Sequence, residues 1–364
     1  MKIFNTKGEQ VPSPVQIEGA DGPSIDAFAR WRVSNPETIF ESKQLFDNAP
    51  LFWDDSEESG GSTSSTHSTA EASSTMAVAT IAGVRTRQTF ERFNYQPGKS
   101  HLILMTGVLD ETGGGSGITR GIGYYDDDNG LFFLDDEGTV KVVRRTKVTG
   151  SIVDNKTSQS SWNHDVMDGT GPSGITVDWT KSQIFLIDFE WLSVGRVRFG
   201  LVIDGIPIYV HELHNANSLN VAYMSTPNLP CRYRIENTGS GAASTMVHMC
   251  ATVTSEGGAH NLGVLRYKST EGTHVDCATQ NTIYAIVGVR LKSASTGGTV
   301  KMVSASLAEH AGTKNVEWIL KWNPIVAGTF TYGDETNSLV QTVKGNSGNT
   351  VTGGIDIAGG HFST

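Results

Sequence analysis

Short apolar runs separated by turn residues recur along the chain, chiefly between Met76 and Trp322. The run from Ile184 to Leu192 reads Ile-Phe-Leu-Ile-Asp-Phe-Glu-Trp-Leu, which has the length and content of a strand buried on one or both faces. Runs of about four to eight residues rich in Val, Ile, Phe and Tyr are typical of β-strands. Few stretches combine Ala, Leu, Glu and Lys, so we expect little helix.

Three turns predict β-hairpins between such runs. Asp128-Asn129-Gly130 separates two strand-like segments, and Asp136-Glu137-Gly138 separates the second of these from a third. Asp204-Gly205 divides another pair of apolar runs. Because Asn-Gly and Asp-Gly adopt the positive φ angles of tight hairpin turns, these positions fix which strands are neighbours.

About a dozen strands joined by Gly- and Asn-containing turns, with no repeat of fixed period, predict an all-β fold. We expect a two-sheet β-sandwich of jelly-roll or concanavalin-like type. Residues 56–75 hold no large apolar side chain, so we expect a flexible or surface loop there. The predicted regions are an extended N-terminal arm and docking segment at 1–55, a Ser/Thr-rich loop at 56–75, the β-sandwich at 76–323 and a C-terminal β extension at 324–364.

Charge and cysteine content narrow the classes of partner. The formal net charge of −10 repels phosphate, so nucleic acid and anionic membranes are not expected partners. Cys231, Cys250 and Cys277 are too few and too widely spaced for a disulfide framework, and we expect buried free thiols and synthesis in a reducing cytoplasm. Neither a signal peptide nor a run of about 18 apolar residues is present, so membrane insertion is not expected.

Asp188 and Glu190 are the candidate catalytic pair. Two residues apart on a strand, their carboxylates would share one face, and paired carboxylates are the equipment of glycoside hydrolysis. Arg196 and Arg198 follow within the same hairpin, so cross-strand ion pairs explain the same charges without catalysis. We favour the ion pairs.

Two further segments invite a metal prediction. Asp126 and Asp128 could offer oxygen ligands to Ca²⁺, but the strand that follows would carry Glu137 away from the turn, so a hairpin turn is the better prediction. His211-Glu212-Leu213-His214 lacks the spacing of a zinc-binding helix, because position 215 is Asn. We therefore expect no metal or other cofactor.

Aromatic loops are the alternative kind of binding site. Trp162 lies beside Asn163 and His164 in a polar segment, where an exposed ring could stack on a sugar. We take Trp162 and His164 as candidate binding residues, although burial in the core explains most tryptophans equally well.

Several segments are distinctive enough to compare with known families. They are Pro50-Leu-Phe-Trp-Asp-Asp, Arg92-Phe-Asn-Tyr-Gln-Pro-Gly-Lys-Ser, Asp188-Phe-Glu-Trp-Leu-Ser-Val-Gly-Arg-Val-Arg-Phe-Gly, Tyr223-Met-Ser-Thr-Pro-Asn-Leu-Pro and Trp322-Asn-Pro-Ile-Val-Ala-Gly-Thr-Phe-Thr-Tyr. From about residue 26 to the end, the chain resembles uncharacterised proteins of environmental, largely marine, tailed phages. The resemblance implies a virion component of the tail, a fibre or the capsid surface, and it brings no catalytic residues with it.

We therefore expect a virion structural protein rather than an enzyme, made in the host cytoplasm and located in the virion. Its partners would be copies of itself and other virion proteins, met through the N-terminal arm and the Ser/Thr-rich segment. Two alternatives stay open: an adhesin that binds a host-surface glycan, and a glycan-degrading enzyme that uses Asp188 and Glu190.

Overall fold

The computed structural model describes residues 24–110, 115–258, 263–295, 297–308 and 315–362. The chain divides into two compact units, Met1–His260 and Asn261–Thr364, which we call the N-terminal and C-terminal units. The predicted boundary at residue 323 is wrong, because a strand at Val287–Leu291 pairs with one at Val340–Lys344. That pairing assigns the segment between them to the C-terminal unit. Residues 1–23 of the predicted arm lie outside the described residues.

The N-terminal unit is built from antiparallel strands. They are β1 (Glu37–Ser42), β2 (Trp53–Gly60), β3 (Thr63–Ser68), β4 (Ser73–Val78), β5 (Gly83–Thr89), β6 (His101–Val108), β7 (Ile118–Tyr125), β8 (Gly130–Asp136), β9 (Thr139–Thr146), β10 (Val153–Ser158), β11 (Gln183–Phe189), β12 (Val197–Ile203), β13 (Ile206–Leu213), β14 (Cys231–Asn237) and β15 (Ser244–Ser255).

These strands form two sheets, which confirms the predicted all-β sandwich. One sheet has eight strands, in the order β13-β12-β11-β6-β15-β4-β3, with β1 beside the second half of β15. The other has seven strands, in the order β10-β9-β8-β7-β14-β5-β2. The predicted arm thus contains a strand, β1, because Phe40 and Ser42 turn buried side chains inward while the backbone pairs with β15.

The core lies between the two sheets. Phe185 on β11 and Phe199 on β12 alternate with residues of the opposite face, and both point inward. Phe133, on β8 of the other sheet, meets them with ring-centroid distances of 5.1 and 5.6 Å. Full burial of a side chain of this size contributes roughly 1.5–3 kcal/mol, so these contacts hold the sheets face to face.

The predicted hairpins are confirmed. β7 and β8 flank Asp128-Asn129, β8 and β9 flank Glu137-Gly138, and β12 and β13 flank Asp204-Gly205. Glu137 and Asp204 adopt φ angles of 56° and 53°, and the glycine that follows each also has positive φ. Successive positive φ angles match the twist of the flanking strands, which is why these dipeptides were informative.

The prediction of a loop at residues 56–75 is wrong, because most of β2, all of β3 and the first half of β4 lie in that range. Polar contacts replace apolar burial there: the Ser65 hydroxyl donates to Asp55 Oδ1 at 2.8 Å, and the buried Ser74 hydroxyl donates to Gln44 Oε1 at 3.1 Å. A strand can therefore form without large apolar side chains when its inward hydroxyl groups find acceptors.

All three cysteines are free, as predicted, but only Cys231 is buried. Cys250 lies where the register between β15 and β6 shifts, which leaves it exposed, and Cys277 is exposed as well. The helical elements of the described residues are two short 3-10 turns, Gln159–Ser161 and Ser293–Ser295, and no helix there is long enough to cross a membrane.

The C-terminal unit contains small sheets. Its strands are β16 (Val287–Leu291), β17 (Val316–Trp322), β18 (Ile325–Val326), β19 (Gly333–Asp334), β20 (Val340–Lys344), β21 (Val351–Thr352) and β22 (Ile355–Phe362). They pair as β16-β20-β19, β17-β22 and β18-β21, so each sheet has two or three strands.

Candidate functional site

Asp188 is the centre of an ion network on the outer face of the eight-stranded sheet. It lies directly opposite Arg198, whose Nη2 donates to Asp188 Oδ2 at 2.5 Å, so the predicted cross-strand ion pair is confirmed. The Tyr209 hydroxyl donates to the same oxygen at 3.0 Å. Arg32 also donates to Asp188 Oδ2 and forms a second ion pair with Glu256. The carboxylate is thus compensated by two guanidinium groups.

The segment that carries Arg32 covers this network. Arg198 Nη2 donates to the Ile25 carbonyl at 2.8 Å, and Arg196 Nε donates to the Ala27 carbonyl at 3.0 Å. Ile25 and Ala27 are buried. Arg198 points away from the core, yet it is shielded from solvent because this part of the arm lies over it. Sequence reasoning missed Arg32, which is 156 residues from its partner Asp188.

A groove of about 240 Å³ lies beside the network. Its lining combines polar and apolar side chains: Arg32, Ser34, Pro36, Leu102, Leu186, Pro207, Tyr209, Thr254 and Glu256. Asp188 Oδ1 is buried and has no hydrogen-bond partner among the described residues. Tyr209 and Arg32 line the groove, and both also donate hydrogen bonds to Asp188. A ligand in the groove would therefore contact the side chains that hold Asp188.

Glu190 does not join Asp188 in a shared acidic site. Its Oε1 accepts a hydrogen bond from the Arg196 backbone N–H at 3.0 Å, and its own carbonyl accepts one from the Tyr223 hydroxyl at 2.7 Å. Burial raises the pKa of the Glu190 carboxyl. Because Asp188 is fully buried beneath Arg32, a substrate could reach it only if the covering segment moved.

Trp162 is not the exposed platform that the binding prediction requires. It is buried in the core, where its ring packs edge-on against Phe133 and Trp179 at 6.3 Å from each. Its Nε1 donates to the Thr157 carbonyl at 3.2 Å, so the polar end of the ring is satisfied internally. The polar neighbours of Trp162 in sequence suggested exposure, but the ring points into the sandwich.

His164 does lie at the surface, with 44% of its side chain exposed. Its Nε2 is 3.3 Å from Glu212 Oε2, and His214 Nε2 is 2.8 Å from Glu212 Oε1. Arg196 lies 3.6 Å from the same buried carboxylate. Burial and the neighbouring His164 lower the pKa of His211 to about 4. These contacts fasten the loop before β11 to β13.

Asp126 and Asp128 have protein partners in the β7–β8 turn. Asp126 Oδ1 accepts the backbone N–H groups of Asp128 and Asn129 at 2.9 and 2.8 Å, and Asp126 Oδ2 pairs with Arg92 at 2.5 Å. Lys147 pairs with Asp128 at 2.9 Å. Within the described ranges, no group of three or more His, Cys, Asp or Glu side chains is arranged to hold a metal ion.

The C-terminal unit differs from the sandwich in where its apolar side chains lie. Of 45 buried apolar residues in the described chain, 44 belong to the N-terminal unit and one, Val343, to the C-terminal unit. The C-terminal unit supplies 15 of the 29 exposed large apolar residues, although it is much the shorter unit. They occur on several strands and include Val287, Val289, Trp322, Ile325, Ile355 and Ile357.

No family model and no curated protein matches the chain. Several solved structures are similar to it. An endo-1,3-β-glucanase from Streptomyces sioyaensis is 11% identical with a TM-score of 0.41, and the match covers 61% of this chain and 97% of that one. A protein of unknown function from Shewanella oneidensis is 7% identical with a TM-score of 0.42, and the match covers 68% and 100%. The CBM2 module of the evolved Dit protein of Lactobacillus casei phage J-1 is 6% identical with a TM-score of 0.37, and the match covers 61% and 96%. The all-β sandwich assignment rests on the two sheets described above.

Proposed function

We propose that this protein is a non-catalytic structural component of a phage virion and that its C-terminal unit is completed by other copies of the chain. The observation that carries the proposal is the exposure of apolar side chains on the small sheets of that unit. The resemblance to proteins of tailed phages supplies the virion context.

The C-terminal unit lacks an apolar interior in its described part. Its β17–β22 sheet has two strands, and a two-stranded sheet is marginally stable in water unless another layer packs on it. Ile355 and Ile357 of β22 remain exposed, as do Val287 and Val289 of β16. Burying side chains of this kind contributes roughly 1.5–3 kcal/mol each, which is ample to drive association.

Copies of the same unit are the simplest source of the missing layer. The exposed residues are spread over separate small sheets rather than gathered in one patch, and units packed around a symmetry axis would cover several sheets at once. Homo-oligomers with closed symmetry are the commonest form of assembly.

The test is the mass of the purified full-length chain, measured by light scattering over a range of concentrations. We expect a defined oligomer that Ile357→Ser weakens. Ile81→Ser is the matched control, because Ile81 in the N-terminal unit is 52% exposed and Ile357 is 53% exposed. A monomeric wild-type chain would contradict the proposal, and so would equal effects of the two substitutions.

A second candidate function is the binding of a host-surface glycan in the groove beside Asp188. Its mixture of apolar side chains with a few polar groups is a lining that a small ligand such as a sugar ring can use. A glycan array compares the wild-type chain with Tyr209→Ala, and loss of a wild-type signal in this variant would support it. A blank wild-type array would reject it. Catalysis by Asp188 and Glu190 gains no support from the buried position of Asp188.

A further inference from the structure

The sandwich has five edge strands: β13, β3 and β1 in one sheet, β10 and β2 in the other. An edge strand leaves a row of backbone N–H and C=O groups open to pairing with another chain. Proteins block such edges with charged side chains, proline, or bulges that break the register. The edge strands of this sandwich differ in these protective features.

Four of the edges carry them. β1 has Glu37, Glu41 and a register shift against β15 between Thr38 and Phe40. β13 contains Pro207 and a register shift against β12 at Phe199/Gly200. β2 reads Trp-Asp-Asp-Ser-Glu-Glu-Ser-Gly and shifts register against β5 between Glu57 and Ser59. β10 carries Asp154 and Lys156.

β3 carries none of them. Its sequence, Thr-Ser-Ser-Thr-His-Ser, has no Asp, Glu, Lys, Arg, Pro or Gly. Its pairing with β4 runs without a shift from Thr63↔Val78 to Ser68↔Ser73. β3 is thus an edge of six residues with a regular register and no Asp, Glu, Lys or Arg, the kind that other chains pair with.

The backbone direction of each β3 residue follows from the ladder. The Ala79 N–H donates to the Ser62 carbonyl at 3.2 Å, so that pair is hydrogen-bonded. Because hydrogen-bonded and non-bonded pairs alternate along an antiparallel ladder, Thr63, Ser65 and His67 turn their backbone groups towards the open edge. The Thr63 N–H already donates to Glu57 Oε2 at 3.0 Å.

Glu57 occupies this edge at Thr63, whereas the contacts of the Ser65 and His67 side chains lie off it. The Ser65 hydroxyl is held by Asp55, and His67 Nε2 lies 2.9 Å from the Gln44 carbonyl. Ser64 and Thr66 are exposed on the other face of the strand. A strand could therefore approach Ser65 and His67 without displacing these contacts.

We infer that β3 pairs antiparallel with β3 of a second copy across a two-fold axis, which joins two eight-stranded sheets into one. Ser65 lies beside the axis: its N–H donates to the Ser65 carbonyl of the second copy, and the His67 N–H donates to the Thr63 carbonyl of that copy. Both bonds recur by symmetry, and the Glu57–Thr63 contact is kept.

A second copy fits this edge because the edge is self-complementary. With the axis at Ser65, Thr63 lies opposite His67 of the second copy, and no Asp, Glu, Lys or Arg side chain of β3 has to be accommodated across the new ladder. Ser64 lies opposite Thr66 of the second copy, and cross-strand hydroxyl pairs of this type are favourable. The inference deepens the proposed self-assembly by adding a contact separate from the C-terminal unit.

The test is Thr66→Lys in the full-length chain, which places a cation beside the axis without touching the β4 ladder. Asn155→Lys, on the exposed edge strand β10, is the matched control. We expect Thr66→Lys to halve the oligomer mass in light scattering and Asn155→Lys to leave it unchanged. Thermal unfolding of both variants confirms that the fold is kept.

Hydrogen–deuterium exchange gives a direct second readout. In the wild-type chain we expect the peptide spanning 63–68 to gain protection with rising protein concentration, and we expect Thr66→Lys to remove that gain. Unchanged mass and unchanged exchange in Thr66→Lys would overturn the inference.

Ile357→Ser separates the two proposals. An oligomer sensitive to Ile357→Ser but not to Thr66→Lys would overturn the edge pairing and leave the proposed function standing. A wild-type dimer that Thr66→Lys splits and Ile357→Ser leaves intact would support the edge pairing and overturn assembly through the C-terminal unit.

Discussion

Arg87 donates a hydrogen bond from its Nε to His248 Nδ1 at 3.1 Å, in the interior between the two sheets. The acceptor nitrogen must be unprotonated, so His248 is held neutral, and burial together with Arg87 lowers its pKa well below the ordinary value of 6.5. The His248 ring stacks on Tyr233 at 4.0 Å. The other end of Arg87 pairs with Asp55 at 2.5 Å, so a buried cation links β5 to β15 and β2.

Acid should destabilise the N-terminal unit through its buried histidines. Burial lowers the pKa of His101 and of His211 to about 4, and that of His248 is lowered as well. The unfolded chain binds these protons from pH 6.5 downward and the folded chain does not, so stability is complete above pH 6.5 and falls as the pH drops towards 4. Near pH 5.5 the loss is on the order of 1 kcal/mol for a histidine as deeply buried as His101. Urea unfolding at pH 7.5 and 5.5 measures it, and equal free energies would contradict the prediction.

Replacing His101 should reduce that pH dependence and stabilise the fold at neutral pH. Both ring nitrogens of His101 are buried without a hydrogen-bond partner among the described residues, beside Tyr95 and Phe189 at 5.2 and 5.7 Å. An unsatisfied buried donor costs about 1–3 kcal/mol, so we expect His101→Phe to gain free energy of unfolding. Urea titration at both pH values tests both effects, and a variant less stable than wild type would be the contrary result.

Removing the charge of Asp188 should be costly although it is not expected to serve catalysis. Asp188→Asn leaves Arg198 buried without its anion, while Arg32 keeps Glu256, and breaking a buried pair in this way costs about 3–5 kcal/mol. Asp204→Asn is the control, because Asp204 is exposed in a turn with φ of 53°, which Asn tolerates. Urea unfolding distinguishes them, and similar stabilities for the two variants would refute the structural role.

Trp162→Ala should act on the core rather than on a ligand. Loss of a buried tryptophan costs about 3–5 kcal/mol, whereas Trp31→Ala removes a half-exposed ring and should change stability little. Thermal unfolding of the two variants provides the comparison. A Trp162→Ala chain as stable as wild type would contradict the core role of Trp162 and favour a role in binding.

Local chemistry made much of the fold predictable. Glu137-Gly138 and Asp204-Gly205 have few conformations that suit them, and a tight hairpin is the commonest, so strand neighbours could be inferred from dipeptides. The Asp188–Arg198 pair followed for the same reason, since a hairpin places their positions opposite each other. Both inferences needed only residues close in sequence.

What could not be predicted depended on partners far along the chain. Asp188 is covered by Arg32 and Arg87 meets His248, and nothing near these residues in sequence announces either contact. Residues 56–75 lack the large apolar side chains that indicate a strand. The structure forms strands there because polar side chains find partners on another strand, as the Ser65 hydroxyl does at Asp55. Side-chain direction misled in the same way at Trp162, whose polar neighbours lie outside while its ring lies inside.

The short connection between β2 and β3 has a mechanical consequence. β2 lies at an edge of one sheet and β3 at an edge of the other, so two consecutive strands join both layers at the same flank. Ser65 bonds to Asp55, and Asp55 bonds to Arg87, which reaches His248 in the interior. We therefore expect a force applied along β3 to be distributed over both sheets. The β3–β4 and β2–β5 ladders would be loaded in shear at the same time, so this flank should unfold as a unit.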